Sequence, residues 1–330
     1  MPTAVTPVRQ LDPHAVNELT EAAQELLSAF DGDPRSLALV RRLPHTAATL
    51  SAGIRHVCRP VDTCAGLYVV RGIPVDDETI GPTPDHWSTA GRSGAVHDVA
   101  LLLLATVMGT PIAWEGQQDG RFVHNIVPSP GHEEEQTGAS SSVLLSPHTE
   151  DAFHPGRAHL LILGCLRNHD AVATTAASVR QVELGADDVE LLSRPALPIL
   201  PDDAYAEAQA YAGTPPPVPT LWRSPDGLTL RFDLAYTPLG DASARHRAAY
   251  DRLAGELSRV SVAVSLEPGD VLVVDNDLVV HGRVPFKARY DGTDRWLKRA
   301  SVRVPGRRTR PPAEADEHGY GQAALEAHAS

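Results

Sequence analysis

His148 and Glu150 in LLSPHTEDAF, with His281 in VLVVDNDLVVHGRVPF, are the residues whose types and order could do chemistry. Two imidazoles and one carboxylate in the pattern His-x-Glu…His make a facial metal triad with open coordination positions. Such a set suits non-haem Fe(II), leaving room for a bidentate oxoacid and for dioxygen. Arg295 and Arg299 follow in DGTDRWLKRA. A guanidinium matches a carboxylate with two parallel hydrogen bonds and stays charged at all relevant pH. Four apart on a strand, both arginines face one side. One can take the distal carboxylate of a 2-oxo acid, the other the α-carboxylate of an amino acid. A lone His-x-Glu carries little weight in a sequence with fifteen histidines. Its plain alternative is a capped turn with a surface carboxylate. For the arginines the alternative is an outward strand paired with Asp291 and Asp294. The distal histidine with two arginines at fixed spacing favours the metal reading.

The elements that must position these groups are legible in the hydrophobic pattern. His148 and Glu150, two apart on a strand, would share a face, and the β-prone run before His281 could lie alongside. After Gly109 the sequence breaks into short apolar or alternating runs: RFVHNIVP, SSVLLSPH, AHLLILGCLR, AVATTAAS, LTLRFDLAY, AVSLEPGD, VLVVDND and LKRASVRVP. Turn residues such as Pro225-Asp226-Gly227 and Pro268-Gly269-Asp270 bound them, which predicts a sandwich or barrel. Two helical stretches, about 184–194 and 243–259, interrupt the strands.

The segment 1–109 reads as a mainly helical flank. Asp12-Pro13 is an N-cap followed by proline at the first helical position, and Val16, Leu19, Ala23, Leu26, Leu27 and Phe30 follow at helical spacing. SLALVRRL starts a second helix, GLYVVRGI is a short strand, and VALLLLATVM is a buried helix too short for a membrane span. Residues 131–142 and 201–219 read as mobile loops, the second as a lid insertion. The polar tail, 305–330, is expected to fray. We read 1–330 as a single domain, with 110–304 its core.

Composition narrows the function classes. The protein has 330 residues, 42% hydrophobic and 22% charged, the profile of a soluble globular protein. Its net charge of −13, from 29 basic and 42 acidic residues, argues against nucleic acid and anionic membrane surfaces as partners. Only Lys287 and Lys298 are lysines, so any anion site is built from arginine. Cys58, Cys64 and Cys165 form no disulfide framework, which with the absence of a signal-peptide pattern points to the cytoplasm. No obligate protein partner is evident.

The stretches GQQDGR (116–121), HTEDAF (148–153), LRNHDAVATT (166–175) and HGRVPFKARYDGTDRWLKR (281–299), with VVRGIPVDD and PTPDHW upstream, resemble the clavaminate synthase-like Fe(II)/2-oxoglutarate oxygenases, arginine hydroxylase branch. The likeness spans about 65 to 300. It implies a mixed α/β, mainly β fold: a double-stranded β-helix (jelly roll, cupin-like) with flanking helices. It implies His148, Glu150 and His281 as iron ligands, and Arg295 with Thr174 as the 2-oxoglutarate site. Arg299 would hold the substrate α-carboxylate. Gln117 would lie near its α-amino group with Ser141 close by, and Asp202 and Asp233 would face its side chain. The sequence departs from the arginine pattern in LRFDLAYT: Asp233 matches the first of two gripping aspartates, and Ala235 stands where the second would be. A buried guanidinium needs many acceptors, so a neutral ureido side chain, as in citrulline, becomes a candidate beside arginine.

The expected reaction is hydroxylation of an unactivated C–H bond on the side chain of a free amino acid, with Fe(II), 2-oxoglutarate and dioxygen as cofactors. The setting that the family implies is natural-product assembly, as in antibiotic biosynthesis. Desaturation on the same substrate class is the enzymatic alternative. Halogenation is disfavoured because Glu150 fills the position a halide would need. A zinc hydrolase with the same triad leaves Arg295 and Arg299 unexplained. A non-enzymatic amino-acid-binding jelly roll would not need the triad. Iron-dependent 2-oxoglutarate turnover separates the oxygenase from both.

Overall fold

The computed structural model describes residues 6–61, 64–205 and 216–327. In Leu67–Arg71 (β2), Leu160–Arg167 (β6) and Val271–Asp275 (β11) nearly every residue is buried, because each strand is covered on both faces. Successive side chains point opposite ways. Tyr68, Val70, Leu160, Ile162, Val271 and Val273 join a cluster with the N-terminal helices, while Leu67, Val69, Leu161, Leu163, Leu272 and Val274 join a second one. Continuous apolar runs, rather than strict alternation, are the sequence signature of that arrangement.

These strands are neighbours in an eight-stranded sheet of order β1-β2-β11-β6-β13-β3-β14. It also contains Val8–Gln10 (β1), Thr110–Trp114 (β3), Trp296–Arg303 (β13) and Ala324–Glu326 (β14), with His124–Ile126 (β4) paired to β13. A four-stranded sheet of order β10-β7-β12-β5 comprises Val262–Val264 (β10), Thr174–Ser178 (β7), Val279–Arg283 (β12) and Leu145–His148 (β5). Ala176, Ala177, Val279 and Val280 of the smaller sheet share a core with the inward residues of the larger. Leu221–Ser224 (β8) and Gly227–Leu230 (β9) form a hairpin around Pro225-Asp226. The molecule is therefore mixed α/β and mainly β.

Helices cover both outer surfaces. Pro13–Ala29 (α1) is capped by Asp12, whose Oδ1 accepts the Ala15 N–H at 2.9 Å. Leu37–Thr49 (α2), Ala52–Val57 (α3) and Ala95–Met108 (α5) pack with it on the large sheet, and Asp77–Ile80 (α4) is a single turn beside β6. Residues Val99–Leu104 of α5 are buried all round, the behaviour expected of VALLLLATVM. Lys298, on β13 beneath α5, is buried and ion-paired to Asp98 at 2.8 Å. Ala186–Leu192 (α6) and Ala244–Val260 (α7) pack on each other, α7 also on the smaller sheet, within the two stretches read as helical. No helix among the described residues is long and apolar enough to cross a membrane.

The flank 1–109 is mainly helical, and its strand GLYVVRGI is β2, which joins the large sheet with β1. Two expectations change. The run LTLRFDLAY is strand only as far as Leu230. Asp233 Oδ1 then accepts the N–H groups of Ala235 (2.9 Å) and Tyr236 (3.0 Å), and this turn bends the backbone away. The tail does not fray over 305–327. Arg307 and Arg308 bind Asp275, at 2.6 and 2.8 Å, and Arg310 binds Asp277 at 3.1 Å. Glu314 takes Arg157 at 2.8 Å, Glu317 takes Arg231 at 2.8 Å, and β14 pairs with β3. A polar composition suggested solvent; the polar groups instead neutralise buried partners.

Asp275 is 0% exposed, so removing a partner leaves a buried charge undercompensated. We expect Arg308→Ala to cost about 3 kcal/mol in denaturant unfolding, at the low end because Arg307 still faces Asp275. Arg245→Ala, whose pair with Asp187 is exposed, should stay within about 0.5 kcal/mol of the parent.

Candidate active site

The antiparallel pairing of β12 with β5 sets His281 directly opposite His148, and their ring centroids lie 4.4 Å apart. Gly282, next to His281, is required by this register, because a Cβ there would run into the Leu145 carbonyl oxygen. Glu150 lies two residues beyond the end of β5, in a turn. The sheet face therefore supplies the two histidines, and the turn, not the strand, brings in the carboxylate. Glu150 Oε2 sits 3.3 Å from His281 Nε2 and 3.8 Å from His148 Nε2. One donor atom from each residue falls within 4.8 Å of the others.

These separations fit a shared cation. Donors at right angles on an ion with bonds near 2.1 Å lie about 3 Å apart. Glu150 Oε2 is buried with no hydrogen-bond partner, which is costly for a carboxylate oxygen unless a cation completes it. His148 Nδ1 faces the Ser146 carbonyl at 2.8 Å, which turns Nε2 toward the centre, as the outer partner of a metal-bound histidine does. Burial and the neighbouring His148 push His281 down to about 4.

The triad opens into a cavity of about 520 Å³. Arg295, just before β13, and Leu297 and Arg299 on it line the cavity from alternate positions. Arg295 donates from Nη2 to Thr174 Oγ1 at 2.9 Å, and its Nε is buried without a partner. Burial without an adjacent carboxylate pushes Arg295 down to about 10. Arg283, the last residue of β12, also lines the cavity, and burial next to Arg295 lowers it to about 10. Arg283 donates to the carbonyls of Ser140, Val143 and Val284, so Arg295, with its unpartnered Nε–H, is the guanidinium on this wall open to an anion.

Arg299 lies on the same wall but is engaged with protein acceptors. Its Nη1 pairs with Glu150 Oε1, and its Nη2 donates to Gln117 Oε1 at 3.1 Å and His124 Nδ1 at 2.8 Å. Burial and the Arg299 charge push His124 down to about 3, so it is a neutral acceptor. Three of the five Arg299 N–H donors are thus used. Asp202, Asp233 and Asp151 also line the cavity. Burial beside Asp151 and Glu150 pushes Asp202 up to about 7. Asp151, at φ 52°, accepts from Trp114 Nε1 at 2.7 Å and from the Tyr205 hydroxyl at 2.5 Å.

Of the residues singled out in the sequence, His148, Glu150, His281, Arg295, Thr174, Arg299, Gln117, Asp202 and Asp233 all line the cavity. Ser141 does not. Its carbonyl accepts the Phe286 N–H at 2.8 Å and its N–H donates to the Glu133 carbonyl at 3.1 Å, which holds it in the wall behind. Ala235 is exposed on the turn made by Asp233 and is not among the lining residues. Part of the expected lid, 206–215, lies outside the described residues. The acidic loop is built into the wall: His132 and residues 135–139 line the cavity. His124, Asp151 and Arg283 were missed. Only pairing β4 with β13, His124 opposite Arg299, reveals the first. The other two adjoin recognised ligands and could have been found there.

Glu150→Ala should abolish tight binding of Co(II), followed by its visible absorption in an anaerobic titration, since two histidines alone rarely hold a divalent ion against water. Retention of wild-type affinity would move the metal elsewhere.

Comparison with known proteins agrees with this geometry. Residues 214–301 match the family model described as Taurine catabolism dioxygenase TauD, TfdA family. The protein is 38% identical over 262 residues to enduracididine beta-hydroxylase of Streptomyces hygroscopicus, covering 72% of its own length and 76% of the relative's. It is 32% identical over 278 residues to L-ornithine/L-arginine 3-hydroxylase of Catenulispora acidiphila, covering 76% and 81%. The crystal structure of the non-heme iron oxygenase OrfP with Fe, succinate and (3R,4R)-dihydroxy-L-Arg superposes with a TM-score of 0.82 at 39% identity, over 90% of this protein and 94% of the other. OrfP has also been solved with Fe and alpha-ketoglutaric acid. With the His-Glu-His centre facing a buried arginine wall, these similarities place the protein in the TauD/TfdA family of dioxygenases, in its clavaminate synthase-like, Fe(II)- and 2-oxoglutarate-dependent branch.

Proposed function

We propose that this protein hydroxylates an unactivated C–H bond on the side chain of a free L-amino acid that carries a long guanidino or ureido group, L-arginine or L-citrulline. The observation that carries the reading is the placement of Glu150, His148 and His281 in one cavity with Arg295. The relatives support the substrate class, since they are named as hydroxylases of arginine, ornithine and enduracididine. We read the two sheets as a double-stranded β-helix, the jelly roll expected from the sequence, and 1–330 as one domain. The three cysteines are unpaired, in keeping with a cytoplasmic enzyme that supplies a modified amino acid for natural-product assembly.

Each residue then has a task. His148, Glu150 and His281 would hold Fe(II). Arg295 and Thr174 would take the distal carboxylate of 2-oxoglutarate, Arg295 offering its unpartnered Nε–H. Leu163 and Leu297, which also line the cavity, exclude water from that site. Arg299 keeps two N–H donors for a substrate carboxylate, and Gln117 beside it would stand near the α-amino group. Asp202 and Asp233 would receive the donors of the side chain. Bound Fe(II) and 2-oxoglutarate supply the oxidising power from dioxygen, with succinate and carbon dioxide as co-products. The protein selects the carbon by where its carboxylate and side-chain anchors place the substrate.

The test is anaerobic loading with Fe(II) and 2-oxoglutarate, then air, against the proteinogenic amino acids plus citrulline and ornithine, read by mass spectrometry. Gain of one oxygen with stoichiometric succinate is expected for arginine or citrulline. Loss of two hydrogens would make the enzyme a desaturase. No amino acid product, with only slow succinate formation, would overturn the free amino acid as substrate. His281→Ala should remove turnover.

Position 235 tests specificity. Ala235 is exposed and outside the cavity lining, so Ala235→Asp should leave the kcat/KM ratio of arginine over citrulline unchanged; a marked rise for arginine would put its carboxylate at the substrate. An unchanged ratio would place recognition on Asp202 and Asp233.

A further inference from the structure

Glu150 sits where no strand partner is available, yet its backbone is buried. The Asn276 side chain takes the partner's place. Its Oδ1 accepts the Glu150 N–H at 2.8 Å, and its Nδ2 donates to the Glu150 carbonyl at 3.0 Å and to the Ala158 carbonyl at 3.0 Å. One amide thus closes both backbone groups of the residue that bears the carboxylate. Only an amide does this: an acid lacks the donor, and an apolar residue leaves the Glu150 N–H and carbonyl unmet, while Arg310 still serves the Ala158 carbonyl. The Asn276 N–H itself donates to the His159 carbonyl at 2.9 Å.

The turn that carries Asn276 is unusual in its own right. Asp275, Asn276 and Asp277 are each 0% exposed. Two buried carboxylates one residue apart would repel and force the turn open if left bare. The cations facing them are Arg307 and Arg308 on Asp275, and Arg310 with the more distant Arg157 on Asp277. Three of these four come from the stretch following β13. The contacts run from that stretch to the Asp275–Asp277 turn, from Asn276 to the Glu150 backbone, and so to the carboxylate between the two histidines.

We infer that Asn276 is a positioning residue for the metal ligand Glu150, and that the arginines at 307, 308 and 310 serve the metal centre by holding the turn from which Asn276 reaches. This rests on the reading of His148, Glu150 and His281 as the metal site. Asn276 is fully buried and outside the cavity lining; it acts by fixing the direction from which Glu150 enters.

The experiment uses the full-length protein and Co(II) as probe, in anaerobic buffer without substrate. Co(II) affinity is titrated for the wild type and for Asn276→Ala, and the melting temperature of each metal-free protein is measured alongside. A weakening of Co(II) binding by about 10–100-fold, the usual effect of losing an outer partner of a metal ligand, is expected. The ratio of succinate to hydroxylated product should rise above one in the same variant once iron is loaded. If Asn276→Ala does not fold, Asn276→Ser, which retains one of the hydrogen bonds, is measured in its place. A lowered melting temperature with wild-type Co(II) affinity and wild-type coupling would make Asn276 merely structural and overturn the inference. Failure of the wild type to bind Co(II) is a different result: it would remove the metal site itself, and this inference with it.

Discussion

A carboxylate buried between two imidazoles is the constraint on which the rest of this structure depends. Burying an ionised carboxylate is tolerable only when opposite charge and hydrogen bonds replace the lost water. Around Glu150 the replacement is divided. Oε1 meets Arg299, while Oε2 is left for a cation. His148 and His281 come from paired strands whose register is fixed by burial and by a glycine. The carboxylate comes from a turn, where register has no hold, so a side-chain amide holds it instead.

The large sheet answers a related demand. Its strands β2, β6 and β11 are buried on both faces, which provides a stiff floor insulated from solvent by α1, α2 and α5. At its centre, β13 exploits the two-residue period. Arg295, Leu297 and Arg299 face the cavity, while Lys298 and Ala300 face the helices, where Lys298 is neutralised by Asp98. Lys298, Arg299 and Arg303 on this strand each meet a protein carboxylate, while Arg295 just before it meets Thr174.

The cavity holds both signs of charge. Arg283 and Arg295 are neighbours in its lining, and Asp151, Asp202 and Asp233 also line it. On the proposed reading, Arg295 would take a 2-oxo dicarboxylate and the aspartates a donor-rich amino acid side chain. That division is what a reaction joining the two molecules requires.

Much of this was legible in the sequence. His-x-Glu…His followed by two arginines marked groups that the fold gathers in one cavity, because coordination chemistry restricts residue types whatever the fold. The N-cap at Asp12-Pro13 and the all-round apolar helix near residue 100 were also readable, since local propensity and period decide them. Local reasoning failed where distant segments meet. LTLRFDLAY has a strand's composition, but Asp233 binds its own backbone and turns it. The stretch after Val304 looks like solvated tail, yet its charges complete buried ones at Asp275, Asp277, Arg157 and Arg231. His124 and Asn276 have no spacing that marks them. The sequence determined which groups do the chemistry; the tertiary structure decided which groups hold them, because a hydrogen-bond partner is chosen by distance in space and leaves no period in the sequence.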